Sequence, residues 1–193
     1  MGLLSRIFGD ENGVRSNGHP YVDLGLSVYW ATMNVGARFN YEYGIVRKWG
    51  ETRAPQLEYK FGYPGRRFCY TRYTTTPGST PKGKPDYQTT LLRRDDVAHR
   101  RMRGDWRMPT VDELEELLYT CQWDAILYNR AIRAYRITGP NGNSIVLPQM
   151  HIWTSSLHSS NSHAYCLYFY DNGPAIKDFS REDAYYIRAV LSK

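Results

Sequence analysis

The run TGPNGN at 138–143, set between the short apolar stretches AYRI and SIVLP, restricts the fold more than any other feature. Asn141 and Gly142 tolerate the positive φ of a tight reversal, so the flanking segments are expected to pair as a hairpin. A second turn signal, Asp171-Asn172-Gly173, follows the alternating segment AYCLYFY. Links this short join antiparallel strands only, because parallel neighbours need a crossover of about a dozen residues or more. With two helical patterns lying between early and late strand-like segments, the chain is expected to be α+β with antiparallel strand pairing and long loops.

The other elements follow from periodicity. YVDLGLSVYWAT (21–32) places Val22, Leu24, Leu26, Val28 and Trp30 on alternate positions, the pattern of one strand with one buried face. AYYIRAVL (184–191) gives the last strand. In MPTVDELEELLYTCQW (108–123), Thr110 and Glu113 form a capping box, and Val111, Leu114, Leu117 and Leu118 share one helical face. RRDDVAHRRMRG (93–104) predicts a short helix, with Asp95 or Asp96 at its N-cap, arginines toward its end and Gly104 as its stop. Residues 40–92 are rich in Tyr, Gly, Pro and Thr and predict a long decorated loop region, its first part packed on the body through residues such as Trp49 and Tyr73. Residues 1–19 are expected to be a tip and linker, and 20–193 a single domain, since 193 residues supply one sizeable core.

Composition excludes several classes. An apolar share of 41% with 23% charged residues is that of a globular chain, neither disordered nor fibrous. The net charge of +6 is uneven, with 18 Lys and Arg against 10 Asp and Glu in 1–109, and 7 against 9 in 110–193. Nucleic acid is not the expected partner, because no helix-turn-helix, zinc-finger or RNA-binding aromatic motif accompanies the basic half. Cys69, Cys121 and Cys166 are odd in number and far apart, which disfavours a disulfide framework or zinc cluster and fits a reducing compartment. His158 and His163 lack a third ligand nearby, so no metal and no cofactor are expected. MGLLSRIFGDENG is too short in its apolar part for a signal peptide, and no run reaches the roughly 18 apolar residues of a membrane span. The expected location is the cytoplasm or a phage particle.

YVDLGLSVYWATMNVGA, WGET, DDVAH, GDWRMPTVDELEEL, PNGNSIVLP, WTSS, AYCLYF and IRAV occur in that order over about 20–191. In this series the chain resembles the Fibrobacter succinogenes major paralogous domain, a family abundant in gut Bacteroidetes and similar to C-type-lectin-like folds. The resemblance implies an antiparallel sheet with two flanking helices and long loops, in which the first and last strands, 21–32 and 184–191, pair and a long loop region carries recognition. The segment 153–190 further resembles the variable region of diversity-generating-retroelement target proteins, in which adenine-directed mutagenesis changes exposed residues. The chain departs from the family pattern at Tyr29 and Met33, at Arg100, Arg101, Met102 and Arg103, and in IRAV.

These resemblances imply a non-enzymatic, ligand-binding protein that displays a diversified surface, about 156–185, to a protein or glycan. An undiversified glycan-binding or assembly domain is the alternative. Alternation puts Tyr165, Leu167 and Phe169 toward the core and Cys166, Tyr168 and Tyr170 outward. The expected contact residues are therefore Cys166, Tyr168 and Tyr170 with His158, Ser160, Asn161, Ser162 and His163. Asp171, Asn172, Lys177 and Asp178 extend the set, as do Ser180, Glu182 and Asp183. No catalytic residue is expected, since the cysteines show no reactive pair and no nucleophile elbow is present. Trp106 is expected in the core, with Arg107 paired to a carboxylate such as Glu51. Gly139-Pro140-Asn141 is expected to be a turn, not a calcium motif.

Overall fold

A computed structural model describes residues 14–53, 72–77, 84–128, 132–170 and 173–193. The chain is α+β, with strand the dominant element. It opens with β1 (Arg15–Ser16), β2 (His19–Asp23), β3 (Val28–Asn34) and β4 (Val46–Lys48), followed by α1 (Val97–Met102), β5 (Trp106–Arg107) and α2 (Val111–Thr120). Then come β6 (Gln122–Tyr128), β7 (Ile132–Thr138), β8 (Ser144–Pro148), β9 (Ile152–Leu157), β10 (His163–Tyr170), β11 (Gly173–Ser180), β12 (Ala184–Tyr186) and β13 (Arg188–Ser192). Three sheets result, ordered β1-β2-β3-β13-β5, β11-β10-β9-β12-β4 and β6-β7-β8.

The expected hairpin across Asn141-Gly142 is β7–β8, with Ile137 opposite Ile145. Of the two runs expected to pair, 21–32 and 184–191, the parts that form β3 and β13 lie antiparallel. The segment 21–32 is not one strand, however. Asp23 Oδ1 accepts the Gly25 N–H at 2.8 Å, Gly25 sits at φ +79°, and β2 folds back on β3. Apolar alternation persists through this turn because Leu24 and Leu26 are themselves buried, at 0% and 4% exposure. The β7–β8 turn seats against it: Asn141 and Asn143 each donate to the Asp23 carbonyl at 2.9 Å. A Cβ at Gly139 would lie 2.0 Å from the Leu24 carbonyl oxygen, so only glycine allows this approach.

Further differences concern extent. Strand pairing begins at Arg15, inside the stretch read as linker, and Trp106 Nε1 donates to the Ser16 carbonyl at 3.0 Å. The helix read as running to residue 123 ends at Thr120, and Gln122 already belongs to β6, a strand that the sequence reading missed. The last strand-like run divides between two sheets as β12 and β13.

Both helices are capped as their sequences require. Asp96 is the N-cap of α1, accepting from Ala98 N and His99 N, and its other oxygen accepts from Met108 N at 2.8 Å. Thr110 and Glu113 form the capping box of α2, whose Leu114 and Leu117 are buried while Val111 and Leu118 are half-buried. Arg107 pairs with Glu113, at 2.7 Å through Nη1, and not with Glu51. Burial pushes the Glu113 carboxyl up, but Arg107 and the Thr110 N–H outweigh it and hold the pKa below its ordinary value.

Two apolar clusters flank the central strands. Ala31, Ala189 and Leu191 face one cluster with α1, Trp106, Trp153 and Cys166. Val28, Trp30 and Val190 face the other with α2, β7, β8 and Leu167. The strands β3 and β13 are thus buried on both faces. Into this layer β13 inserts Arg188, 1% exposed. Its Nε donates to Asn34 Oδ1 at 2.8 Å, Nη1 to the Ala31 carbonyl at 2.7 Å and Nη2 to the Val146 carbonyl at 2.9 Å. Burial lowers its pKa to about 9, so the guanidinium remains a cation at neutral pH.

Arg188→Ala strands three buried acceptors and is expected to cost about 3–5 kcal/mol, measured as a fall in urea midpoint. The Glu113 contribution is fully present above the ordinary glutamate pKa and is lost as pH falls through the lower folded value. Stability measured against pH should therefore decline less steeply on the acid side in Glu113→Gln than in the parent.

Candidate functional site

Of the predicted contact residues that are described, most lie on the loop after β9 and on the β10–β11 hairpin, which forms one margin of its sheet, and Glu182 and Asp183 lie in the turn between β11 and β12. The stretch WTSS that leads into this region is interior. Thr154 Oγ1 donates to the Tyr165 carbonyl at 2.8 Å, Ser155 Oγ to the Pro109 carbonyl at 3.1 Å, and Ser156 Oγ accepts the Val111 N–H at 3.0 Å. These hydroxyls tie β9 to β10 and to the start of α2, fixing the base from which the loop leaves.

Asn161 was expected to face a ligand, but it is 6% exposed and holds the loop in shape. Its Oδ1 accepts from Thr75 N at 2.8 Å and Thr75 Oγ1 at 2.9 Å, and its Nδ2 donates to Thr76 Oγ1 at 2.9 Å. Its φ of +61° is one that Asn tolerates better than most residues. Arg181 clasps the same turn, donating to the Asn161 carbonyl at 2.9 Å and the Tyr73 carbonyl at 3.1 Å while lying 4.7 Å over the Trp49 ring.

Cys166 is the clearest correction. It is fully buried in the cluster with Trp153 and Ile187, and burial pushes its thiol well above the ordinary range. The reason is topological: β10 lies between β9 and β11, and each end of the hairpin buries a different face. Cys166 and Ala164 pack on one side, Leu167 and Phe169 on the other. The strand therefore has no single inward face, and Tyr165 is half-buried at the margin.

Register divides the remaining candidates into two groups. His163 lies opposite Ser180 and Tyr165 opposite Asp178, on one face of the hairpin. There His158 stands 5.3 Å from the Tyr165 ring, with Nδ1 3.9 Å from Asp178 Oδ2. Ser160 Oγ lies 3.0 Å from His158 Nδ1 and 3.2 Å from His163 Nδ1, and Ser162 Oγ is 2.9 Å from the latter.

Tyr168, Tyr170 and Lys177 belong to the other face. Tyr168 lies 3.9 Å from Tyr170, and Lys177 Nζ sits 4.7 Å over the Tyr170 ring. His151 meets Tyr168 at 4.5 Å, Phe179 at 5.5 Å and Tyr185 at 4.9 Å between centroids. The result is an aromatic dish of five partly exposed rings. Its floor continues into Trp153, 4.7 Å from Tyr185. Burial and the nearby Asp183 carboxylate raise the Tyr185 pKa to about 12, leaving a neutral hydroxyl.

His151, Phe179 and Tyr185 escaped the sequence reading. Counting back by two from Trp153 reaches His151, but the parallel neighbour that supplies Tyr185 is not inferable from local pattern. Phe179, Lys177, Asp178 and Ser180 lie on β11, whose Gly-Pro start hid a strand. Glu182 is taken up by Lys48 at 2.8 Å, while Ser180 accepts the Glu182 N–H at 3.3 Å. Asp171 and Asn172, like Cys69, lie outside the described residues.

Among the described residues no group of three His, Cys, Asp or Glu is placed to hold a metal ion. No helix among them is long and apolar enough to cross a membrane. Asn141 lies in the expected turn, its amide committed to Asp23. Comparison with family models, curated proteins and solved structures yields no match.

In the native protein Cys166 is expected to resist iodoacetamide at mildly alkaline pH and to become labelled only on denaturation, as read by peptide mass spectrometry. Appreciable native labelling would place it at the surface.

Proposed function

We propose that the chain is a non-enzymatic binding protein with a C-type-lectin-like fold, and that its β10–β11 hairpin and preceding loop present replaceable side chains to a macromolecular ligand. One observation carries the reading: chemically varied residues are exposed here on a frame whose interleaved positions are sealed. Ala164, Cys166 and Leu167 are fully buried and Phe169 is 8% exposed, whereas His163, Tyr168, Tyr170 and Lys177 reach the surface. Contacts can then change without disturbing the core, which is what a diversified recognition surface requires. Pairing of β3 with the last strand, β13, and the two helices between them support the lectin-like assignment.

The aromatic dish favours a protein or glycan ligand. Tyrosine offers large contact area and a hydroxyl at modest entropy cost, and antibody paratopes use it for the same reason. Retroelement-directed diversification is part of this proposal, supported by the Ser, His, Tyr and Asp content of the surface. An undiversified lectin-like glycan-binding or assembly domain would use the same frame with a fixed surface.

Sequencing the corresponding gene segment across many isolates distinguishes the two. Diversification predicts adenine-templated changes at His158, Ser160, His163, Tyr168 and Tyr170, with Ala164, Cys166, Leu167 and Phe169 constant. A constant surface, or changes spread equally over buried codons, would overturn it. In a library randomised at the same exposed positions, most members are expected to stay within about 1 kcal/mol of the parent in stability, measured by denaturant midpoint.

A further inference from the structure

Arg101 of α1 lies apart from the hairpin surface and borders a cavity of about 250 Å³ between α1, β2 and β3. Buried Ala31, Val35 and Met102 form its apolar floor, Met33 contributes a thioether, and exposed Arg101 stands at its mouth with His19. No acidic residue lines it among the described residues. His19 is held toward its neutral form by burial. Arg101 therefore supplies the cavity's charge.

That charge is not neutralised nearby. Arg93 is paired with Asp105 and Arg107 with Glu113, whereas Arg100, Arg101 and Arg103 make no ion pair with any described residue. Arg47 does not line the cavity but lies within electrostatic reach of Arg101. Arg47 is 6% exposed, its Nη1 donates only to its neighbour's carbonyl, and its Nε has no hydrogen-bond partner. The charge of Arg101 acts against that of Arg47, and Glu51 offsets it only in part. A guanidinium with no ion pair among the described residues, set at the mouth of an apolar cavity without a carboxylate, is completed most simply by an anion.

We propose that this cavity binds a small monoanion with an apolar body, an aryl or alkyl carboxylate. Its carboxylate pairs with Arg101, and its hydrocarbon lies against Met33, Val35 and Met102. The planar guanidinium fork matches a carboxylate in two hydrogen bonds, which a neutral isostere cannot reproduce. The volume falls below the usual range of about 300–1,000 Å³ for drug-sized ligands, so the occupant is compact. The site shares no residue with the hairpin surface and stands independently of its function.

Benzoate tests the site, with benzyl alcohol as its neutral counterpart, in protein carrying 13C-labelled methionine methyls. Benzoate is expected to shift the Met33 and Met102 signals while leaving Met108 and Met150 in place, and to bind about tenfold more tightly than benzyl alcohol. Arg101→Gln should abolish that preference, and Arg100→Gln, which lies outside the lining, should retain it. An unchanged methionine spectrum in both variants verifies that they are folded. Silence of Met33 and Met102, equal shifts at all four methionines, equal binding of the two probes, or an undiminished preference in Arg101→Gln would each overturn the proposal.

Discussion

Arg188 is the contact on which the rest of the structure depends. The chain crosses from one five-stranded sheet to the other between Tyr186 and Arg188, and it does so in a buried stretch that runs from Ile187 to Leu191. A guanidinium there is costly to desolvate, and its three neutral acceptors come from β3, the side chain of Asn34 and β8. Those bonds join the last strand both to the first sheet and to the three-stranded sheet. The same Asn34 reaches the Glu42 carbonyl at 2.9 Å, so the bend after β3 is fixed by the same network. Closure of the chain upon itself therefore runs through one satisfied, buried charge.

From that closure the position of the hairpin surface follows. With β12 and β13 committed to different sheets, β9 is enclosed between β10 and β12, and all six of its residues are buried. The β10–β11 hairpin is then carried outward as a margin whose roots lie in both apolar clusters. Its exposed side chains are supported by Trp153 below one face and by the Asn161–Arg181 clasp at the loop. The proposed binding surface is thus carried on paired strands, and the loop beside it is tethered through its one buried asparagine.

The sequence disclosed the helix of Thr110 and Glu113, the hairpin at Asn141-Gly142 and the region that carries exposed tyrosines. Each rests on residues within a few positions of one another: a cap reaches three residues, a turn two, and strand alternation repeats every second residue. Arg107 shows the limit of pairing by inspection. The nearer carboxylate of Glu113, one turn into the helix, captured it in place of Glu51. Likewise the alternation of 21–32 ran through a turn without marking it, because the turn's leucines are as buried as the strand's.

What the sequence by itself determined was therefore local: capped helices, reversals, and apolar positions that must leave water. The tertiary structure alone decided which face of each strand was covered. Alternation says that neighbours point oppositely, but burial of the second face depends on what the remainder of the chain brings against it. Cys166 became core because Trp153 and Ile187 lie on its side, and His151 and Tyr185 joined Tyr168 because a parallel strand from the far end of the chain was placed beside β9. Those are contacts between distant segments, settled by the free energy of burying both clusters at once, and no local pattern encodes them.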